Sequence, residues 1–186
     1  MQRRQFLRTG LAAAPAVTLA SLVPAEAGNP PGTQGFIVKA GEDRFHAPIK
    51  YRGVSPNLVK VSAKDTGGQF SIFEYEGLAR MGPDLHVHLK QDETFYVLEG
   101  EYLFQLGDEK FTLTAGDTIF LPRNVPHTWL QRSDRGKLMY MLQPAGKMEE
   151  FFKKMNALTG PPSAELVAKI HLEHEIRIVG PGLALE

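Results

Sequence analysis

The stretch GPDLHVHLKQDETFYVLEG, residues 82–100, decides how this chain is read. His86 and His88 are two apart, so on a strand they project from one face while Leu85, Val87 and Leu89 project from the other. Glu93 lies five residues beyond His88, a step that a straight strand would place on the opposite face. It rejoins the imidazoles only where the chain turns between them, and Lys90-Gln91-Asp92 is a polar triplet suited to that turn. A second apolar run then leads to Gly100. A later stretch, GDTIFLPRNVPHTWLQ at residues 116–131, turns at Gly116 and is re-aimed between Pro122 and Pro126. His127 opens a strand there, with Trp129 and Gln131 as its same-face neighbours. Folded antiparallel, the two stretches can bring three imidazoles and one carboxylate together. Such a set suits an open-sited centre for Fe, Mn, Ni, Co or Zn, with one or two positions left for water or substrate.

Working outward, short apolar runs recur at 58–62, 70–75, 85–89, 94–98, 102–106, 111–114, 118–121, 127–131 and 138–142. Between them fall turn residues such as Gly67-Gly68, Gly107-Asp108 and Asp134-Arg135-Gly136. Strands of this length at this spacing argue for an all-β sandwich or barrel. Residues 94–98 are apolar on both faces, as expected of a strand covered from two sides. The period then changes: Met148, Phe151, Phe152, Met155 and Leu158 follow a helical spacing that ends at Thr159-Gly160. Ser163 is placed to cap a second helix carrying Leu166, Val167 and Ile170. Both helices are expected to pack outside the β domain or to close one end of it. His171 and His174, three apart, read as a solvated helix end rather than a second metal pair.

Composition narrows the function classes. The 186 residues carry 21 basic and 21 acidic side chains, so the uniform basic field of a nonspecific nucleic-acid binder is missing. With no cysteine, disulfide scaffolds, thiolate zinc sites and thiol nucleophiles are excluded. No apolar run reaches the roughly 18 residues of a membrane span. A small-molecule substrate is therefore the expected partner rather than nucleic acid or membrane, and a homodimer is expected of the chain.

The two histidine stretches resemble the motifs of the cupin superfamily, G-x5-H-x-H-x3,4-E-x6-G and G-x5-P-x-G-x2-H-x3-N. His86, His88, Glu93, Gly100, Gly116, Pro122 and His127 stand at the family spacings. Gly82 is nearer to His86 than the pattern asks, Asn124 replaces a Gly, and Gln131 replaces the final Asn. Asn tolerates a left-handed backbone, so the change at Asn124 is mild. The resemblance implies a double-stranded β-helix, the jelly-roll barrel, over residues 41–146, with a helical extension at 147–186. It also implies His86, His88, Glu93 and His127 as ligands of one divalent transition metal (Mn, Fe or Ni before Co, Cu or Zn). With Gly41-Glu42-Asp43-Arg44-Phe45, the run from Val59 to Gly68, and Pro144-Ala145-Gly146, the chain is similar to single-domain quercetin 2,3-dioxygenase-like cupins. The activity implied is a metal-dependent dioxygenase for an aromatic or enolic small molecule, with Glu93 as the catalytic base. Trp129, Gln131, Phe95 and Tyr140 are the candidate substrate contacts. The family's breadth also admits a redox-neutral isomerase or epimerase, or a small-molecule-binding module without catalysis.

Residues 1–27 read as an address. Arg3, Arg4 and Arg8 precede an Ala-rich apolar stretch that ends in Ala25-Glu26-Ala27, the pattern of a secretory signal peptide. Arg3-Arg4 followed by Phe6-Leu7 resembles the twin-arginine export motif. Export to the periplasm with cleavage after Ala27 is expected, leaving residues 28–40 as a flexible arm. N-terminal sequencing of the exported protein should begin at Gly28, and Arg3→Lys/Arg4→Lys should leave the precursor uncleaved in the cytoplasm. Export of the double variant at the normal rate would remove the twin-arginine reading.

Overall fold

Alternation of large apolar residues with polar ones makes one face of each strand worth burying, and two such sheets stack on each other. The computed structural model describes residues 34–185, so the expected signal sequence and residues 28–33 of the arm lie outside the described residues. The strands are β1 (Ile49–Tyr51), β2 (Ser55–Val61), β3 (Ser71–Gly77), β4 (Leu85–His88), β5 (Asp92–Glu99) and β6 (Glu101–Leu106). They continue as β7 (Glu109–Thr114), β8 (Thr118–Leu121), β9 (His127–Gln131) and β10 (Gly136–Gln143). Two helices follow, α1 (Met148–Asn156) and α2 (Ala164–Glu173), and then a last strand, β11 (Ile176–Gly180).

One sheet runs β1-β2-β3-β10-β5-β8 and the other β11-β4-β9-β6-β7, all neighbours antiparallel. This is the expected all-β jelly roll with two C-terminal helices. Phe73, Tyr75, Phe95 and Val97 of the first sheet face Tyr102, Phe104 and Trp129 of the second, forming the core. The expected barrel is not closed, because no ladder among the described residues joins the two sheets. Helices occupy the open side instead: α1 packs on β1, α2 on β11, and the helices on each other. Glu149 ties α1 down by accepting from Ser62 Oγ at 2.9 Å and from the Ala63 amide at 2.6 Å. Ser163 caps α2, accepting from the Leu166 amide at 3.2 Å.

Three sequence expectations are corrected. The 147–186 segment is not wholly helical, since Ile176-Arg177-Ile178 pairs with Val87 and both histidines of β4. Strand β5 is covered on one side only: Phe95 and Val97 are buried, whereas Tyr96 and Leu98 are 39% and 40% exposed. The helices sit at the open side and add no layer over the outer face of that sheet. Finally, the helix end at His171 and His174 is not solvated. His174 is buried and donates from Nδ1 to the Ile170 carbonyl at 2.6 Å, and both rings pack against Phe151.

Asp43 fastens the segment before the sheets. It is 4% exposed, and its carboxylate accepts from the Phe45 and Val59 amides at 2.8 Å and from the Ala47 amide at 3.3 Å. Orphaned buried donors cost about 1–3 kcal/mol each, and partial rehydration returns some of that. Asp43→Ala should therefore lower the unfolding free energy by about 2–4 kcal/mol in chemical denaturation, with Asp43→Asn losing less. An unchanged denaturation midpoint would show that the three bonds do not hold the segment.

Candidate metal centre and cavity

Strand β4 has a short hold on β9, the pair His86↔His127, and a longer one on β11. That single pair sets His86 beside His127, with ring centroids 4.6 Å apart. His88, two residues on, turns the same way, its ring 5.4 Å from that of His127 and nearly parallel to it. The chain then bends at Leu89-Lys90 and crosses to the other sheet. The crossing is held by Leu89 N–H donating to the Glu175 carbonyl at 2.8 Å and by Gln91 Nε2 donating to the Glu175 carboxylate at 2.7 Å. The odd step to Glu93 is thereby resolved: Glu93 points inward from the opposing sheet, toward the histidines.

Two backbone features make room for this. A Cβ at Gly82 would lie 1.8 Å from the Trp129 carbonyl oxygen, so only glycine lets the chain before β4 run against β9. Asn124 adopts φ 65°, the left-handed backbone its sequence position demands, and its amide donates to the His88 carbonyl at 2.8 Å.

The four candidate donor atoms all lie within 4.8 Å of one another. Glu93 Oε2 is 3.6 Å from His88 Nε2 and 3.4 Å from His127 Nε2. Adjacent ligands bonded at about 2.0–2.2 Å to one ion stand about 3.0–3.5 Å apart, so these are coordination spacings rather than hydrogen bonds. The tautomers agree. His86 and His127 donate from Nδ1 to the Asp84 and Val125 carbonyls at 2.8 and 2.9 Å, which leaves each Nε2 with its lone pair. Among the described residues, His127 Nε2 and His88 Nδ1 are buried with no hydrogen-bond partner. Burial first, and then the neighbouring imidazoles, push His86 down to about 3. Burial and His127 push His88 equally low. Neutral imidazoles whose lone pairs converge on a carboxylate repel one another, and a divalent cation is what such a set attracts. The cluster could hold a metal ion.

His86, His88 and Glu93 line a cavity of about 600 Å³, and His127 is fully buried beside them. Of the residues expected to contact substrate, Trp129, Phe95 and Tyr140 line it, as does Tyr75. Gln131 is placed elsewhere: it is fully buried, accepts from Tyr102 and donates to the Gly77 and Ser133 carbonyls. Phe73 and Phe104 are core. Sequence reasoning missed Tyr51, Phe152 and His171, which line the cavity from β1, α1 and α2. The two-histidine spacing in α2 was the available signal for the last. Arg52 and Asp84, 3.8 Å apart, are also lining residues, and their side chains are about half exposed.

Comparison with known proteins places this geometry in context. A model described as a cupin domain matches residues 72–142. Quercetin 2,3-dioxygenase of Bacillus subtilis (strain 168) is 29% identical over 127 residues, 68% of this chain and 36% of that protein. An uncharacterized protein of Methanocaldococcus jannaschii is 46% identical over 43 residues, 23% of this chain and 34% of that one. The chain thus spans about a third of the length of the curated relatives it matches. KdgF from a Halomonas species superimposes with a TM-score of 0.53 at 15% identity, covering 62% of this chain and 99% of that one. A predicted oxalate decarboxylase from Thermotoga maritima gives 0.53 at 17% identity, covering 59% and 99%. These likenesses establish the fold as a cupin-type jelly roll.

Removing one imidazole leaves three donors and an unfilled corner. His86→Ala and His127→Ala should each lose the divalent ion on dialysis, measured by elemental analysis. Both should keep the β circular-dichroism spectrum, at a cost of about 1–3 kcal/mol in stability. Full metal stoichiometry in either variant would remove the four-ligand assignment.

Proposed function

We propose that this chain is a metal-dependent cupin dioxygenase acting on an aromatic or enolic small molecule. The observation that carries the reading is an aromatic-walled cavity lined by His86, His88 and Glu93, which cluster with His127. Likeness to a quercetin 2,3-dioxygenase supports it. A redox-active divalent ion held by those four side chains, with Mn, Fe or Ni favoured, would supply Lewis acidity and electron transfer to O2.

The chain's own residues divide the remaining work. Tyr51, Tyr75 and Trp129 form a wall with ring centroids 5.1–6.0 Å apart, against which a flat ring lies by offset or edge contact. Phe95 stacks on Tyr140 at 5.1 Å and closes the adjoining side. Phe151, Phe152 and Met155 of α1, with Val167 of α2, add apolar surface from the helical side. Water is thereby kept from the histidines and Glu93, which strengthens every charge interaction there. Glu93, 5% exposed, lines the cavity and lies within 3.6 Å of the His88 and His127 rings. It accepts the hydroxyl proton of the substrate and leaves that oxygen anionic, the form that reacts with O2.

A positioned base contributes roughly 10²–10⁴-fold, and an amide cannot take a proton. Glu93→Gln should therefore cut kcat by about 10²-fold or more while three imidazoles retain most of the ion. Oxygen-electrode assays of the metal-loaded protein against flavonols and catechols, beside metal analysis of the variant, check both. Rate and metal content falling in proportion would make Glu93 a ligand only. Substrate turnover without O2 consumption would transfer the chain to the redox-neutral isomerases and epimerases.

A further inference from the structure

Helix α2 contributes one imidazole to the cavity that the metal centre does not use. His171 lines the cavity from the last turn of that helix and is half-buried rather than sealed. Its Nδ1 donates to the Val167 carbonyl at 2.7 Å, one turn back along the same helix. That bond fixes the tautomer and leaves the lone pair on Nε2, at the ring edge turned away from the helix backbone. Among the described residues, Nε2 has no hydrogen-bond partner. Burial pushes His171 below the ordinary histidine range; the Val167 bond and Asp84 oppose this, while Arg52 and His174 add to it. The ring is therefore neutral at neutral pH, and it packs edge-on against Phe151 at 4.7 Å.

The place of this ring is set from the strand that carries the metal-binding histidines. Leu89 N–H donates to the Glu175 carbonyl, four residues beyond His171, and Ile176 pairs with His88. His174 is buried and bonded back to Ile170, and Ser163 caps the far end of the helix. An acceptor held at both ends of its helix is preorganised for recognition. Other acceptors on the cavity wall are already engaged. Asn57 Oδ1 accepts from the Tyr140 hydroxyl at 2.8 Å, and Asn156 Oδ1 from the Lys50 amide at 3.1 Å. The Tyr75 hydroxyl meets Ser55 Oγ at 3.3 Å, and Asp84 faces Arg52 at 3.8 Å.

We propose that His171 Nε2 is the specificity-determining acceptor of this cavity. It takes a neutral donor from the ligand, a hydroxyl or a ring N–H, in addition to whatever group faces the metal centre. A ligand with an ether or a methylene at that point strips water from the acceptor, leaves it unpaired and is rejected. The assignment rests on the cavity as the ligand site, and it holds for a dioxygenase and a redox-neutral isomerase alike.

Indole and indene test the acceptor alone. They are bicyclic rings of one size that differ in an N–H against a methylene, and the indole nitrogen has no free lone pair for a metal. The protein is loaded with zinc, which has no redox chemistry. In equilibrium dialysis, indole should bind about three- to tenfold more tightly than indene. His171→Phe keeps a ring against Phe151 and removes the acceptor, so it should erase the preference without weakening indene. In nitrogen NMR of the native protein with isotope-labelled histidine, the His171 Nε2 resonance should move upfield with indole and not with indene. That readout stands if the variant fails to fold. Equal binding of the two probes, no measurable indole binding, a preference that survives in folded His171→Phe, or an unmoved Nε2 resonance would each overturn the assignment. Indole preference without oxygen uptake on any flavonol would refute the dioxygenase reading and leave His171 in place. Oxygen uptake without the preference would refute His171 alone.

Discussion

Glu93 stands on one sheet and the three imidazoles it faces stand on the other, with His88, His127 and Glu93 all nearly sealed from solvent. Removing such groups from water costs several kcal/mol for a charge and less for a neutral ring. The cost is tolerable only where geometry is enforced from outside, and much of the fold does that. The Asp84 and Val125 carbonyls fix two tautomers. Asn124 holds the end of β4 through the His88 carbonyl, and Glu175 holds the crossing through Leu89 and Gln91. Of these supports Asp84 lines the cavity, whereas Val125, Asn124 and Glu175 are not among its lining residues.

The open side of the barrel bears on the same site. No ladder among the described residues joins β1 to β11. Two short helices in its place supply apolar surface and leave a cavity. Helix α1 shows the economy of the arrangement: Glu149 anchors its start to Ser62 and Ala63, so Phe152 and Met155 are directed at the cavity. The sheet face that the helices do not reach keeps Tyr96, Leu98, Phe120 and Met139 partly in water.

What the sequence revealed, and what it concealed, follows from the range of each interaction. The histidine spacing, the turn before Glu93 and the left-handed backbone at Asn124 are local, so residues 82–131 are legible almost residue by residue. Strand β11 also alternates, Ile176 and Ile178 inward against Arg177 and Val179. It follows a helix so closely that periodicity alone does not separate it. Gln131 stands at a motif position in place of Asn, and its longer side chain reaches Gly77 and Ser133 rather than the cavity. Asn57 is the opposite case, an ordinary residue of β2 that is buried by accepting from the Tyr140 hydroxyl, 83 residues away.

Strand β11 also imposes an order in time. The chain is made from its N-terminus, and His88 leaves the ribosome roughly ninety residues before Ile176, its partner in the sheet; at 5–20 residues per second this is on the order of five to twenty seconds. Strand β4 has no sheet partner until His127 is made, 39 residues after His88, and from then until β11 it is an edge strand with only the brief contact to β9 to steady it. A nascent chain therefore exposes chelating side chains before it can enclose them, and the strand that ends their exposure is the last one synthesised in the described fold.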